Sequence, residues 1–119
     1  MSSEDFPTLT CQHALHSNIK RPKHTPQALE IAAGMCKALS DPARLRILLW
    51  LVEGERCVSE LVELEAEKLS TISARLQLLY VARLVARRRE TKHVYYALAD
   101  QHVRDLLDNV LHHATEAST

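Results

Sequence analysis

The stretch Asp100 to Glu116, DQHVRDLLDNVLHHATE, restricts what this chain can fold into more than any other. Val103, Leu106, Leu107, Val110 and Leu111 recur at helical spacing and mark one apolar face. Residues of the types that ligate zinc stand at both ends, Asp100 and His102 at the start, His113 and Glu116 at the finish. The two histidines are eleven residues apart. At about 100° and 1.5 Å per residue they share a face but lie roughly 16 Å apart along the axis. Zinc–nitrogen bonds of about 2 Å cannot span that gap. An antiparallel copy of the same helix removes the difficulty, because the head of one helix then lies beside the tail of the other. Two-fold symmetry makes that contact twice. The expectation is a homodimer through terminal helices with two interfacial sites, each taking Asp100 and His102 from one chain and His113 and Glu116 from its partner. The competing expectation is a solvated helix whose histidines suit the negative end of the helix dipole.

Composition fits one small, mainly helical domain. Only two glycines and four prolines occur in 119 residues. Fifteen basic residues balance fifteen acidic ones, so net charge gives no pull toward nucleic acid and the distribution of charge has to carry that question. Three cysteines, an odd number with no apolar leader before them, indicate free thiols in a cytoplasmic setting. No apolar run is long enough for a bilayer, so no membrane partner is expected.

Residues 1–26 read as a flexible arm broken by Pro7, Pro22 and Pro26, with residues 27–119 forming the folded domain. Within the arm, Cys11, His13 and His16 make a plausible metal claw. A first core helix is expected over 27–39, with Leu29, Ala32, Met35, Cys36 and Leu39 on its buried face. Cys36 is expected to be a small core hydrophobe. Asp41 and Pro42 should start a second helix that runs to about Val52 and is apolar nearly all round. Cys57-Val-Ser-Glu60 resembles a capping box with a thiol in the capping place. A thiol accepts hydrogen bonds poorly, so Cys57 and Glu60 are candidates for a second site completed by the arm.

A short helix from Ser59 to about Glu65, a turn, and a helix over 71–82 capped by Ser70 form a helix-turn-helix. Ile72, Leu76 and Leu79 should face the core. Ser70, Ser73, Ala74 and Gln77 should face outward, flanked by Thr71 and Arg75. Small residues allow close entry into a major groove, and Gln, Ser, Thr and Arg can bond base edges or phosphates. Next come two β-prone runs around Glu90-Thr91-Lys92, a hairpin with Arg83, Arg87, Arg88, Arg89 and Lys92. This wing is suited to phosphate contacts. The expected fold class is therefore mainly α with a small β-hairpin.

In this order the elements resemble the ArsR/SmtB family of metal-sensing winged helix-turn-helix repressors over about residues 28–118. The resemblance rests on Leu39-Ser-Asp-Pro-Ala-Arg-Leu-Arg-Ile-Leu48, Cys57-Val-Ser-Glu-Leu61, Ser70-Thr-Ile-Ser-Ala-Arg-Leu76, His93-Val-Tyr-Tyr96 and the D-x-H-x10-H-x2-E pattern of residues 100, 102, 113 and 116. It implies a homodimer that binds double-stranded operator DNA, is released by Zn(II), and controls metal efflux or sequestration genes. It further implies a second, softer site in which Cys57 and Glu60 meet Cys11 and either His13 or His16 on the N-terminal arm of the partner chain, open to Cd(II), Pb(II) or Cu(I). There are departures. Ser59 stands where a second cysteine would add a thiolate, Ala74 where many members have histidine, and the wing turn lacks glycine. The alternatives are a thiol redox or persulfide sensor using Cys36 and Cys57, and a metal buffer that does not bind DNA. No nucleophile–base–oxyanion arrangement supports an enzyme.

Overall fold

The computed structural model describes residues 23–117. In chain order the elements are α1 (Pro26–Leu39), α2 (Pro42–Val52), β1 (Arg56–Cys57), α3 (Val58–Glu65), α4 (Leu69–Val81), β2 (Val85–Glu90), β3 (His93–Leu98) and α5 (Gln101–Ala117). Each of the first two helices opens with a capped proline turn. Thr25 Oγ1 accepts from the Ala28 N–H at 3.1 Å, and an Asp41 carboxylate oxygen accepts from the Arg44 N–H at 3.0 Å. Arg44 also joins the two helices, because its Nε donates to the Ala38 carbonyl at 2.8 Å. That bond satisfies an acceptor that the end of α1 leaves unpaired.

The sheet has three antiparallel strands in the order β1-β3-β2. The hairpin is the expected wing, while β1 was not foreseen. Two residues have no readable alternation, and β1 exists only because Arg56 and Cys57 pair with Tyr96 and Tyr95 of β3. Thr91, at the wing tip, has φ 56°, the conformation that glycine usually supplies.

Ile47, Leu48, Leu61, Ile72, Leu76, Leu79, Leu84 and Leu107 are fully buried and come from five different elements or their flanks. The burial of Ile72, Leu76 and Leu79 fixes which face of α4 turns outward. Glu65 holds α3 to α2. Its carboxylate accepts from Arg46 Nε at 2.8 Å and from Trp50 Nε1 at 2.8 Å, and its side chain is 1% exposed. Such a buried carboxylate is tolerable only because it is paired.

Three expectations are corrected. Cys36 is exposed, as are Leu29 and Ala32, because α1 meets its own protomer mainly through Ala38 and the half-buried Met35 and Leu39. The second helix is not buried all round. Ile47, Leu48 and Leu51 face the core, Leu49 faces solvent, and Trp50 is held part-way by Glu65. Ser70 does not cap the fourth helix. Ala66 adopts the left-handed conformation at the end of α3, so the chain re-enters helical geometry early and Lys68 takes the capping place without a side-chain bond.

Candidate nucleic-acid interface and metal-ligand helix

The outward face of α4 carries Ser70, Ser73, Ala74 and Gln77, all exposed, with Thr71 half-buried at its margin. Arg75 turns back across the helix-turn-helix. Its Nη2 donates to Glu67 Oε2 at 3.3 Å, and its Nη1 is buried without a hydrogen-bond partner. The exposed strip is thus small, polar and nearly uncharged, a surface that admits close approach.

The wing arginines divide by strand alternation. Arg87 and Arg89 pair with Tyr96 and Val94 on one face, while Arg88 pairs with Tyr95 on the other. The Arg87 guanidinium lies 3.8 Å from the centroid of the Tyr80 ring, and its Nη1 donates to Gln77 Oε1 at 3.4 Å. It ties the wing to α4 through a cation–π contact. Arg88 grips Glu55 with two bonds of 2.7 and 2.8 Å, donates to Glu90 at 2.7 Å, and stacks over Tyr95. The Arg88 guanidinium holds the Glu55 carboxyl below its ordinary value. Arg89 and Lys92, near the tip, are exposed and make no ion pair among the described residues. Ser73 lines a cleft with Arg87, Arg89 and Val94, so the helix and the wing present one continuous surface.

Sequence reasoning missed Tyr80 and Glu55. Tyr80 follows Gln77 by three residues and so shares its helical face, a signal that could have found it. Glu55 lies 33 residues from Arg88 and carried no local signal.

At the head of α5, an Asp100 carboxylate oxygen accepts from the Val103 N–H at 3.1 Å and lies 3.7 Å from His102 Nδ1. Asp100 is therefore both cap and neighbour of the imidazole. At the tail, Glu116 pairs with His112 at 2.9 Å, a histidine that the spacing argument had not singled out. His102 and His113 are exposed. Carboxylate and imidazole donors at each end suit zinc chemically. Among the described residues of one protomer, no group of three or more His, Cys, Asp or Glu is close enough to hold an ion. Each end of α5 thus carries two candidate ligands, Asp100 and His102 at the head and His113 and Glu116 at the tail.

Cys57 is buried at the start of α3, with its Sγ 3.0 Å from Ser59 Oγ. Glu60 Oε1 accepts from the Cys57 N–H at 2.9 Å, and this backbone bond is the main cause holding the Glu60 carboxyl below its ordinary value. Cys57 and Glu60 are thus neighbours. Cys11, His13 and His16 lie outside the described residues. Among the described residues no helix is long and apolar enough to cross a membrane.

The model of the arsR family of bacterial regulatory proteins matches residues 41–87, from the start of α2 into the wing. Over 80 residues the chain is 41% identical to a transcriptional repressor SmtB homolog of Synechocystis sp., covering 67% of this chain and 61% of the length of that relative. It is 36% identical over 88 residues to a cadmium resistance transcriptional regulatory protein CadC homolog of Staphylococcus aureus, covering 73% of each. The fold matches the solution structure of a homodimeric winged helix-turn-helix DNA-binding domain from Mycobacterium bovis, a possible ArsR-family regulator. The TM-score is 0.75 and the identity 35%, with 82% of this chain and 91% of that one covered. Fold, order of elements and these relatives agree: the chain is a winged helix-turn-helix transcriptional regulator, not an enzyme, and it belongs to the ArsR family.

Proposed function

We propose that the protein is a homodimeric, cytoplasmic transcriptional repressor that leaves operator DNA when metal binds. One observation carries this reading. The apolar stripe of α5 continues past the residues that seat the helix, with Val110 47% exposed, and the helix bears metal-type ligands at both ends that the described residues of one chain do not bring together. A second, antiparallel copy of α5 would cover that stripe and complete both ligand sets. The homodimeric relative, the repressor relative and the cadmium-resistance regulator relative support the same reading.

In this dimer the exposed face of each α4 enters a major groove. Ser70, Thr71, Ser73, Ala74 and Gln77 form the reading face, with Arg75 releasing Glu67 where it contributes. Arg89 and Lys92 contact flanking phosphates, while Arg87 and Arg88 hold the wing in place and add charge. Asp100 and His102 of one chain, with His113 and Glu116 of its partner, would hold Zn(II) and so would join the two α5 helices. Glu116 must leave His112 to join them. A pair of α5 helices joined in this way would favour a spacing of reading faces that no longer fits the operator. Linkage then requires DNA to weaken metal binding by the same factor. The imidazoles must be unprotonated to ligate, so the response weakens toward acid pH.

A softer second site for Cd(II), Pb(II) or Cu(I) is formed by Cys57 and Glu60 with Cys11 and His13 or His16, its thiolates supplying the selectivity. A thiol sensor using Cys36 and Cys57 is the other reading, and the solvent exposure of Cys36 favours its access to oxidants.

The test is operator binding measured by fluorescence anisotropy while Zn(II) is added. Wild-type protein should lose affinity by about 5–150-fold, the usual range of such coupling. His102→Ala and His113→Ala should bind operator normally and lose that response. An unchanged zinc response in either variant rejects the α5 site. Cys57→Ala should retain the zinc response and lose the thiolate absorption that Cd(II) induces in wild type. A metal-free thiol–disulfide change that alters operator affinity would favour the sensor reading instead.

A further inference from the structure

A concave apolar surface lies between α1 and the C-terminal end of α4 and shares no residue with the polar face of α4 or the ligands of α5. Ile31 and Gly34 form one wall, Leu78 and Val81 the other, around a volume of about 600 Å³. That is the size of a small-molecule site. Leu78 and Val81 are 53% and 69% exposed, unusual for large apolar side chains at the end of a packed helix.

Every charged residue on the rim is basic: Lys37, Arg44 and Arg83. Arg44 is committed to Asp41 and to the carbonyls at the end of α1. The side chains of Lys37 and Arg83 have no ion-pair partner among the described residues. Arg83 carries a further signal. α4 ends with the Leu84 N–H donating to the Leu79 carbonyl and the Arg83 N–H to the Tyr80 carbonyl, both at 3.0 Å, which puts Arg83 at φ 66°. Glycine normally fills that place in this turn, and an L side chain is strained there. The strain is borne by a residue that brings a free cation to the rim.

We propose that this pocket binds a medium-chain carboxylate, its alkyl chain against Ile31, Leu78 and Val81 and its head on Arg83 and Lys37. The apolar walls distinguish it from a phosphate-backbone contact. An arginine fork also matches a carboxylate in geometry as well as charge.

The test is methyl NMR of the full chain titrated with decanoate below its micellar concentration, and with decanol as the uncharged control. Saturable shifts at Ile31, Leu78 and Val81 are expected with decanoate, with at least tenfold weaker binding of decanol. Arg83→Gly relaxes the turn, so it should fold and yet weaken decanoate binding at least tenfold. Gly34→Met should abolish binding by filling the pocket, since a Cβ there meets nothing within 4 Å. Wild-type affinity in either variant, equal affinity for decanol, or no saturable shift overturns the proposal. Shifts at these methyls that follow protein concentration and ignore decanoate would assign the surface to a second copy, and would overturn it too.

Discussion

Helices α4 and α5 are both amphipathic, yet they stand in different relations to their own protomer. α4 buries Ile72, Leu76 and Leu79 completely, so its orientation is fixed without help from another chain. α5 buries Val103 and Leu107, leaves Leu106 and Leu111 half-covered, and leaves Val110 open. A helix that presents a polar face to a ligand needs a rigid seat. A helix that senses by joining a second copy needs an apolar stripe its own chain does not use up.

The sharpest way to break this comparison is to exchange the expected outcomes. Leu76→Ala should cost about 3 kcal/mol of protomer stability, the usual range for emptying a tight core site, in chemical denaturation. Val110→Glu should leave protomer unfolding nearly unchanged and weaken self-association on the order of 100-fold, by sedimentation, since symmetry buries the charge twice. If Val110→Glu unfolds the protomer instead, α5 belongs to the fold and not to an interface. On the α4 side, Thr91→Gly relieves a β-branched residue at positive φ and should stabilise the wing by about 1 kcal/mol, visible as a rise in Tm. The smallest effect concerns Glu55. Its folded-state value is lowered by Arg88, so its contribution is present above the ordinary carboxylate range and is lost as pH falls through the lowered value. Glu55→Gln should therefore flatten the acid limb of the stability curve by slightly lowering the neutral plateau, with stability below the lowered value almost unaltered.

The sequence was legible where one chain segment determines its own geometry. The period of Ile72, Leu76 and Leu79 identifies α4 and its outward face, and the spacing of His102 and His113 raises the question of a second copy. It was not legible where geometry depends on distant residues. Cys36 shares a helical face with Met35 and Leu39, but the body of the protomer covers only the end of that helix. Ser70 is a better capping residue than Lys68, but the left-handed Ala66 sets where the helix begins. Arg88 reads as a free cation in a basic run, and only the fold brings Glu55 to it. Three arginines in a row thus proved unequal: Arg87 holds α4, Arg88 holds Glu55, and Arg89 makes no such tie among the described residues.

The bond from Arg104 Nη1 to the Val52 carbonyl, 3.0 Å, fastens α5 to the end of α2 within its second turn. With Val103 and Leu107 beside it, this bond is a pivot, and Asp108–Ala117 is the long arm of a lever about 15 Å in length. A sideways displacement of about 1 Å at the far end tilts such an arm by roughly 4°. The head of α5 rests on β3 and the end of α2, so such a tilt would reach the body of the protomer there.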